Sequence, residues 1–281
     1  MTSLKAKVSL FADGVDAPEG PAFDRAGNFY HVDWTISSIV KHTPAGVRSE
    51  FYNTGGIPAG LAFHPDGSLW VADEGADIHG LLRIEPDGSN ARIVVNSYHG
   101  KPLNGANDLV FDRAGAVYFS DPWATSAENP IGGFYRYLPD DQLELIDSGL
   151  AFPNGVAIRP DETFVYLAET YRNRILCYEI NSDGTLGPRE HFADTPTPSG
   201  PDGMAFDVEG NLYVAHYGLG RVNVFDPSGK LVDGIALPAA GVTNCAFGGP
   251  ANKTLYITEV NSHSVYTAEL NIAGLPLFDG R

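Results

Sequence analysis

Glu19, Asn107, Asn154 and Asp202 are four oxygen-bearing side chains that occupy one slot of a recurring apolar phrase. The phrases are APEGPAF, IPAGLAF, GANDLVF, FPNGVAI, GPDGMAF and VTNCAF. Their slots hold, in turn, Glu19, Ala59, Asn107, Asn154, Asp202 and Thr243, each four residues before a framework Phe or Ile. Two carboxylates and two carboxamides brought together form an oxygen cage. Carboxylates crowded into a partly dehydrated space repel one another, and a cation resolves the repulsion. Calcium takes about 6–8 oxygen ligands, so four protein oxygens leave about two to four positions for water and substrate. Calcium is therefore the first choice for a single divalent cation. No slot holds a His or Cys, which counts against a usual zinc site. Zinc, magnesium, manganese and iron(II) stay open as alternatives.

A second layer follows about ten residues after each framework position. It reads Asp33-Trp34, Asp73-Glu74, Asp121-Pro122-Trp123, Glu169-Thr170-Tyr171, His216-Tyr217 and Glu259-Val260. Acids at this place can bond neighbouring backbone N–H groups, and Asp33, Asp73, Glu169 and Glu259 are read in that structural role. Asp121, Trp123, Tyr171, His216 and Tyr217, with Asn107 below them, are the candidate substrate contacts. Polar groups beside aromatic ones are how small-molecule pockets are built. The other seven histidines are scattered and read as structural or exposed.

The elements that must position these residues form a repeat. Six units begin near Ala17, Ile57, Leu103, Ala151, Ser199 and Gly241. A spacing of about 40–48 residues suits propeller blades of four strands. Each unit has a strand such as GPAFD, a turn such as RAGN or HPDGS, and a second strand such as FYHVDW. The Asp, Gly and Asn of these turns are what hairpins require. Third strands (SIVKHT, GLLRIEP) and fourth strands (SEFYNTG, ARIVVNS) follow, but the sixth unit lacks a fourth. The N-terminal VSLFADG resembles REHFADT of the fourth unit, so residues 7–12 are expected to complete the last blade. The C-terminal LPLFDG is the alternative. No composition shift divides the chain, and residues 1–281 read as one all-β domain, a six-bladed propeller. First strands line the channel of such a fold, so all six slots are expected around one axis.

The bulk numbers agree with this. The chain has 281 residues, 43% of them hydrophobic, with Gly 32 and Pro 20, which fits many short strands and tight turns. A net charge of −17 disfavours nucleic acid, which needs clustered cations. Cys177 and Cys245 lie in different repeats and are not expected to pair. The N-terminus lacks a signal-peptide run and no segment is long enough for a membrane span, so a soluble cytoplasmic protein is expected.

With EGPAFD, GANDLVFD, FPNGVA and GPDGMAFD in hand, the chain resembles the senescence marker protein, gluconolactonase and luciferin-regenerating enzyme family over nearly its whole length. The resemblance implies a six-bladed propeller that hydrolyses lactones, typically aldonolactones. It implies that Glu19, Asn154 and Asp202 hold a catalytic divalent cation and that Asn107 is a further ligand or substrate contact. It also makes Asp202 the first choice for the base that activates water, with Asp121 and His216 as alternatives. Calcium-dependent diisopropylfluorophosphatases look like cousins, but Val260 stands where they carry a His, and Gly105 where animal members carry an Arg. The competing readings are a phosphotriesterase-like hydrolase and a non-catalytic propeller whose ion ties the blades together. The aromatic residues suit a sugar face or an apolar acyl group equally well.

Overall fold

A computed structural model describes residues 6–276. Among them are six four-stranded antiparallel sheets, the blades of a six-bladed β-propeller. The chain falls into two compact units of three blades. One unit is Glu19–Asn154; the other comprises the residues up to Pro18 and Gly155–Pro276.

In the first unit, blade 1 takes strands Pro18–Phe23, Phe29–Asp33, Ser38–His42 and Arg48–Asn53. Blade 2 takes Pro58–Phe63, Leu69–Asp73, Gly80–Ile84 and Ala91–Val95. Blade 3 takes Leu109–Phe111, Val117–Asp121, Gly132–Tyr137 and Leu143–Leu150. A small hairpin, Ser97–Tyr98 with Lys101–Pro102, precedes blade 3 and has no counterpart in the repeat read from sequence.

In the second unit, blade 4 takes Pro153–Ile158, Phe164–Glu169, Arg174–Glu179 and Glu190–Asp194. Blade 5 takes Pro201–Phe206, Leu212–His216, Arg221–Phe225 and Leu231–Ala236. Blade 6 takes Val242–Gly248, Thr254–Glu259 and Ser264–Glu269, and its outer strand is N-terminal Val8–Asp13, antiparallel to Ser264–Glu269. Pairing of the chain's first strand with its last leaves no open edge on Ser264–Glu269. The competing segment LPLFDG lies mostly outside the described residues, but the sheet is already complete without it.

The framework Phe is constant because it welds blades. Phe63, Phe111, Phe206 and Phe247 each meet, edge to face, an aromatic residue on the second strand of the preceding blade. Tyr30–Phe63 centroids are 4.9 Å apart and Trp70–Phe111 centroids 5.3 Å apart in the first unit. Tyr166–Phe206 and Tyr213–Phe247 both lie at 5.0 Å in the second. T-shaped contacts of this kind add about 0.5–1.5 kcal/mol beyond area burial. Around them lie apolar layers, such as Val32, Leu61 and Val71 between blades 1 and 2. Val214, Cys177 and Met204 form the equivalent layer between blades 4 and 5. Cys177 and Cys245 are buried free thiols.

In blades 1, 3 and 5 the first hairpin is closed by an Asp at the end of the first strand. Asp24 Oδ1 accepts from the Asn28 N–H at 2.9 Å, Asp112 Oδ1 from Ala116 at 2.8 Å, and Asp207 Oδ1 from Asn211 at 2.9 Å. These local bonds set the register that carries each slot to the start of its blade.

Candidate functional site

The slots sit where the first strand departs from regular pairing. In blade 2 the ladder shifts between Pro58 and Leu61, around Ala59. In blade 5 it shifts between Pro201 and Met204, around Asp202, and in blade 6 between Val242 and Asn244, around Thr243. A bulge frees the residue from the ladder and re-aims its side chain. Asn107 precedes its strand, with its N–H donated to Ser120 O at 3.0 Å.

The residue after the slot explains the conserved spacing of the phrase. A Cβ on Gly60 would lie 2.8 Å from Asn107 O and 2.6 Å from Asp108 Oδ1, and the Gly60 N–H donates to Asn107 O at 2.6 Å. Gly20, at φ +57°, would overlap the Ala59 carbonyl in the same way. In the other unit a Cβ on Gly155 would overlap the Asp202 carbonyl, and one on Gly203 the Asn244 side chain. At Gly20, Gly60, Gly155 and Gly203 only glycine lets the strand approach the next blade's first strand so closely. Thr243 closes the second unit's series, its hydroxyl 3.0 Å from Pro18 O and 2.8 Å from Thr258 Oγ1.

Within the Glu19–Asn154 unit, Glu19 is 7% and Asn154 5% exposed, polar groups on otherwise apolar strands. One carboxylate oxygen of Glu19 faces its neighbour's N–H, that of Gly20. The Asn107 carboxamide donates from Nδ2 to Glu74 Oε1 at 2.8 Å, which turns its Oδ1 the other way. Glu74 is itself buried, and that burial pushes its carboxyl up to about 7. The Asn107 hydrogen bond opposes the rise, and the charges of Asp73 and Asp121 add to it. Asp202 is half-buried in the other unit.

The second-strand ends divide by role. Asp73 Oδ1 accepts from Ile57 and Gly75 N–H groups at 2.8 Å each. Glu259 accepts from Gly241, Asn261 and Ser262. Asp33 bonds Thr35, and Glu169 pairs with Arg174 at 2.6 Å. Asp121 does the same kind of work. Its Oδ2 accepts from Asn104 at 3.0 Å and its Oδ1 from Gly105 at 2.6 Å. Burial raises its pKa while these bonds oppose the rise. His216 is fully buried. Its Nε2–H donates to Pro198 O at 3.3 Å, and its Nδ1 accepts from Asn223 at 3.1 Å. Burial lowers its pKa, so the ring is held neutral. Both groups were candidate bases by position, but both are engaged by the loops they brace.

Trp123, Tyr171 and Tyr217 are 43%, 46% and 41% exposed, each just beyond a second strand. Exposed aromatic surface at a loop rim is available for ligand contact. Sequence reasoning passed over Glu74 as a site residue. The available signal was that blade 2 pairs an apolar slot, Ala59, with two consecutive acids at its second-strand end.

Among the described residues no three His, Cys, Asp or Glu side chains come together as metal ligands. The slot set is of another kind, with two carboxylates and two carboxamides. Buried Glu19 and Asn154, and an Asn107 oxygen turned away from Glu74, are hard oxygen donors that suit a cation such as calcium or magnesium.

Fold and slots together define a propeller whose blade-initial strands carry acid and amide groups at or just before their starts. The chain belongs to the SMP-30/Gluconolactonase/LRE-like family, whose model matches residues 17–261. It is 33% identical to a gluconolactonase of Zymomonas mobilis over 93% of this chain and 81% of that protein. It is 29% identical to the diisopropyl-fluorophosphatase of Loligo vulgaris, over 92% of this chain and 90% of that one. A solved gluconolactonase of Xanthomonas campestris aligns with a TM-score of 0.84 and 29% identity, covering 95% of this chain and 91% of that one. No helix among the described residues is long and apolar enough to cross a membrane.

Proposed function

We propose that the chain is a metal-dependent lactonase of gluconolactonase type, and that its two units act as one propeller domain whose slots share an axis. The observation that carries this is the slot pattern in a chain 33% identical to a gluconolactonase over 93% of its length. Glu19, Asn107, Asn154 and Asp202 would hold one divalent cation, with calcium the first choice. When bound, the cation supplies Lewis-acid polarisation of the lactone carbonyl, a contribution of several kcal/mol in enzymes of this type.

Asp202 accepts a proton from water as the water oxygen attacks the carbonyl carbon. It returns that proton to the ring oxygen as the acyl C–O bond breaks, releasing a hydroxy acid. Assistance of this kind is worth about 10²–10⁴-fold. Asp121 and His216 are less suited to the role, since their polar atoms already serve Asn104, Gly105, Pro198 and Asn223. Trp123, Tyr171 and Tyr217 supply apolar contact for the substrate ring or acyl group.

The test is acidification followed with a pH indicator across aldonolactones and aromatic lactones, with and without chelator. Chelator-sensitive acid release on a lactone supports the reading. A flat trace on every lactone, with a chelator-sensitive melting temperature, overturns it in favour of a binding propeller. Asp202→Asn with calcium supplied should lose about 10²-fold or more in kcat. Near-normal turnover would remove Asp202 as the base. The 29% identity to a diisopropyl-fluorophosphatase favours a second reading, phosphorus–fluorine hydrolysis, which a fluoride electrode measures directly. Val260 stands against it, since the cousins carry a His there.

A further inference from the structure

Resting on the cation reading above, we propose that Glu74 is a positioning residue that selects which face of the Asn107 carboxamide is offered to the metal. An Asn amide presents an acceptor on one side and a donor on the other, and a half-turn exchanges them with almost no change of shape. Only the oxygen side can ligate a hard cation. A neighbour that fixes the half-turn before the ion arrives removes the cost of turning the amide on binding.

The Asn107 backbone is already pinned. Its N–H goes to Ser120 O at 3.0 Å, and its C=O accepts from Gly60 at 2.6 Å. What remains free is the side chain. Glu74 Oε1 stands 2.8 Å from Asn107 Nδ2. Ionised Glu74 accepts and does not donate, so it is satisfied by one amide orientation and opposed by the other, and the bond from Asn107 itself favours the ionised form. That orientation directs Oδ1 away from Glu74.

Glu74 is itself firmly held. Its N–H donates to Ile57 O at 2.9 Å, and its side chain is buried. Gly105 lies over it so closely that a Cβ there would stand 3.1 Å from Glu74 Cα and 3.0 Å from Trp123 Cβ. The acids that end other second strands bind backbone N–H groups of their own loops, as Asp73, Asp121 and Glu259 do. Glu74 instead reaches the slot side chain of the following blade. Blade 2, whose own slot is the apolar Ala59, thus contributes through Glu74 rather than through its slot.

The experiment is calcium titration by calorimetry of chelator-stripped protein, with four variants. Glu74→Met fills the space but cannot accept, and is expected to weaken calcium binding about tenfold or more, as loss of an outer partner does at other metal sites. Glu74→Gln can turn either its oxygen or its NH2 to Asn107, so it no longer favours one half-turn and is expected to weaken calcium binding by about twofold or more. Asn107→Ala is expected to weaken binding by itself. Adding Glu74→Met to Asn107→Ala should then cost nothing more, since both act on one ligand. If Glu74→Gln binds calcium like wild type, an acceptor-only partner is not what selects the half-turn and the proposal falls. The proposal also falls if Glu74→Met binds like wild type, or if the double variant loses the sum of the two. Should Glu74→Met not fold, Glu74→Ala takes its place in the cycle. If Asn107→Ala binds calcium normally, the assignment of Asn107 as a ligand fails, which separates that failure from one of Glu74.

Discussion

Gly60→Ala tests the claim that slot strands approach one another too closely for any side chain. The Gly60 φ lies outside the left-handed region, so a substitution there probes space and not backbone conformation. The new Cβ would meet Asn107 O and Asp108 Cα at 2.8 Å, both backbone atoms, where ordinary contact begins at 3.4 Å. One strand must yield by about 0.6 Å, and overpacking of this kind costs about 1–3 kcal/mol. The unfolded chain loses freedom when Gly becomes Ala, which offsets about 0.4–1 kcal/mol. A net loss of about 1–2 kcal/mol remains. With an unfolding entropy near 2.1 cal/mol/K per residue, a chain of 281 residues should melt about 2–4 °C lower. The displaced backbone belongs to Asn107, so calcium affinity should fall with it. Gly187→Ala, whose Cβ would first meet a side-chain carbon at 3.3 Å, serves as the control and should melt close to wild type. Differential scanning calorimetry and calcium titration read both effects. A Gly60→Ala protein that melts at or above the wild-type temperature would refute the close-approach argument.

Deletion of residues 1–13 should expose the Ser264–Glu269 edge that Val8–Asp13 now covers. Broadened, lower-temperature unfolding with aggregation is expected by light scattering, and a monodisperse protein with unchanged melting would contradict strand-mediated closure. His31 and His42 form a buried pair with Nε2 atoms 3.0 Å apart, and burial lowers both pKa values to about 4. The unfolded chain therefore takes up protons below about pH 6.5 that the folded chain refuses until about pH 4, so stability is full above the upper value and falls across that window. The loss at His31 alone is on the order of 3 kcal/mol by pH 4. The melting temperature of the wild type should drop more steeply from pH 7 to 4.5 than that of His31→Phe/His42→Phe, and parallel profiles would dismiss the pair as the source.

Much of the fold was legible because it is written locally and repeatedly. The phrase with its framework Phe or Ile, the tight turn and the second strand recur six times, and each requires only neighbours a few residues away. The need for a closing strand was legible because the sixth unit is one strand short, and VSLFADG was the first choice, but LPLFDG stayed open until the pairing of Val8–Asp13 with Ser264–Glu269 decided it. The roles of individual polar residues were not legible in the same way. Asp121 and His216 stand at equivalent second-strand ends and look alike as candidate bases. Their partners, Asn104, Gly105, Pro198 and Asn223, are supplied by loops and strands whose approach the linear pattern does not specify.

By itself, then, the sequence determined the repeat, the order of strands within a unit and which residue types occupy the slots, because apolar periodicity and turn chemistry act over short spans of chain. Only the tertiary structure decided what each polar atom meets. The bond from Asn107 to Glu74 joins residues 33 apart, and the Gly60 N–H reaches Asn107 O across two blades. Hydrogen bonding is satisfied by whatever the packed blades bring within about 3 Å, and packing between neighbouring blades is settled by apolar contacts between residues far apart in the chain.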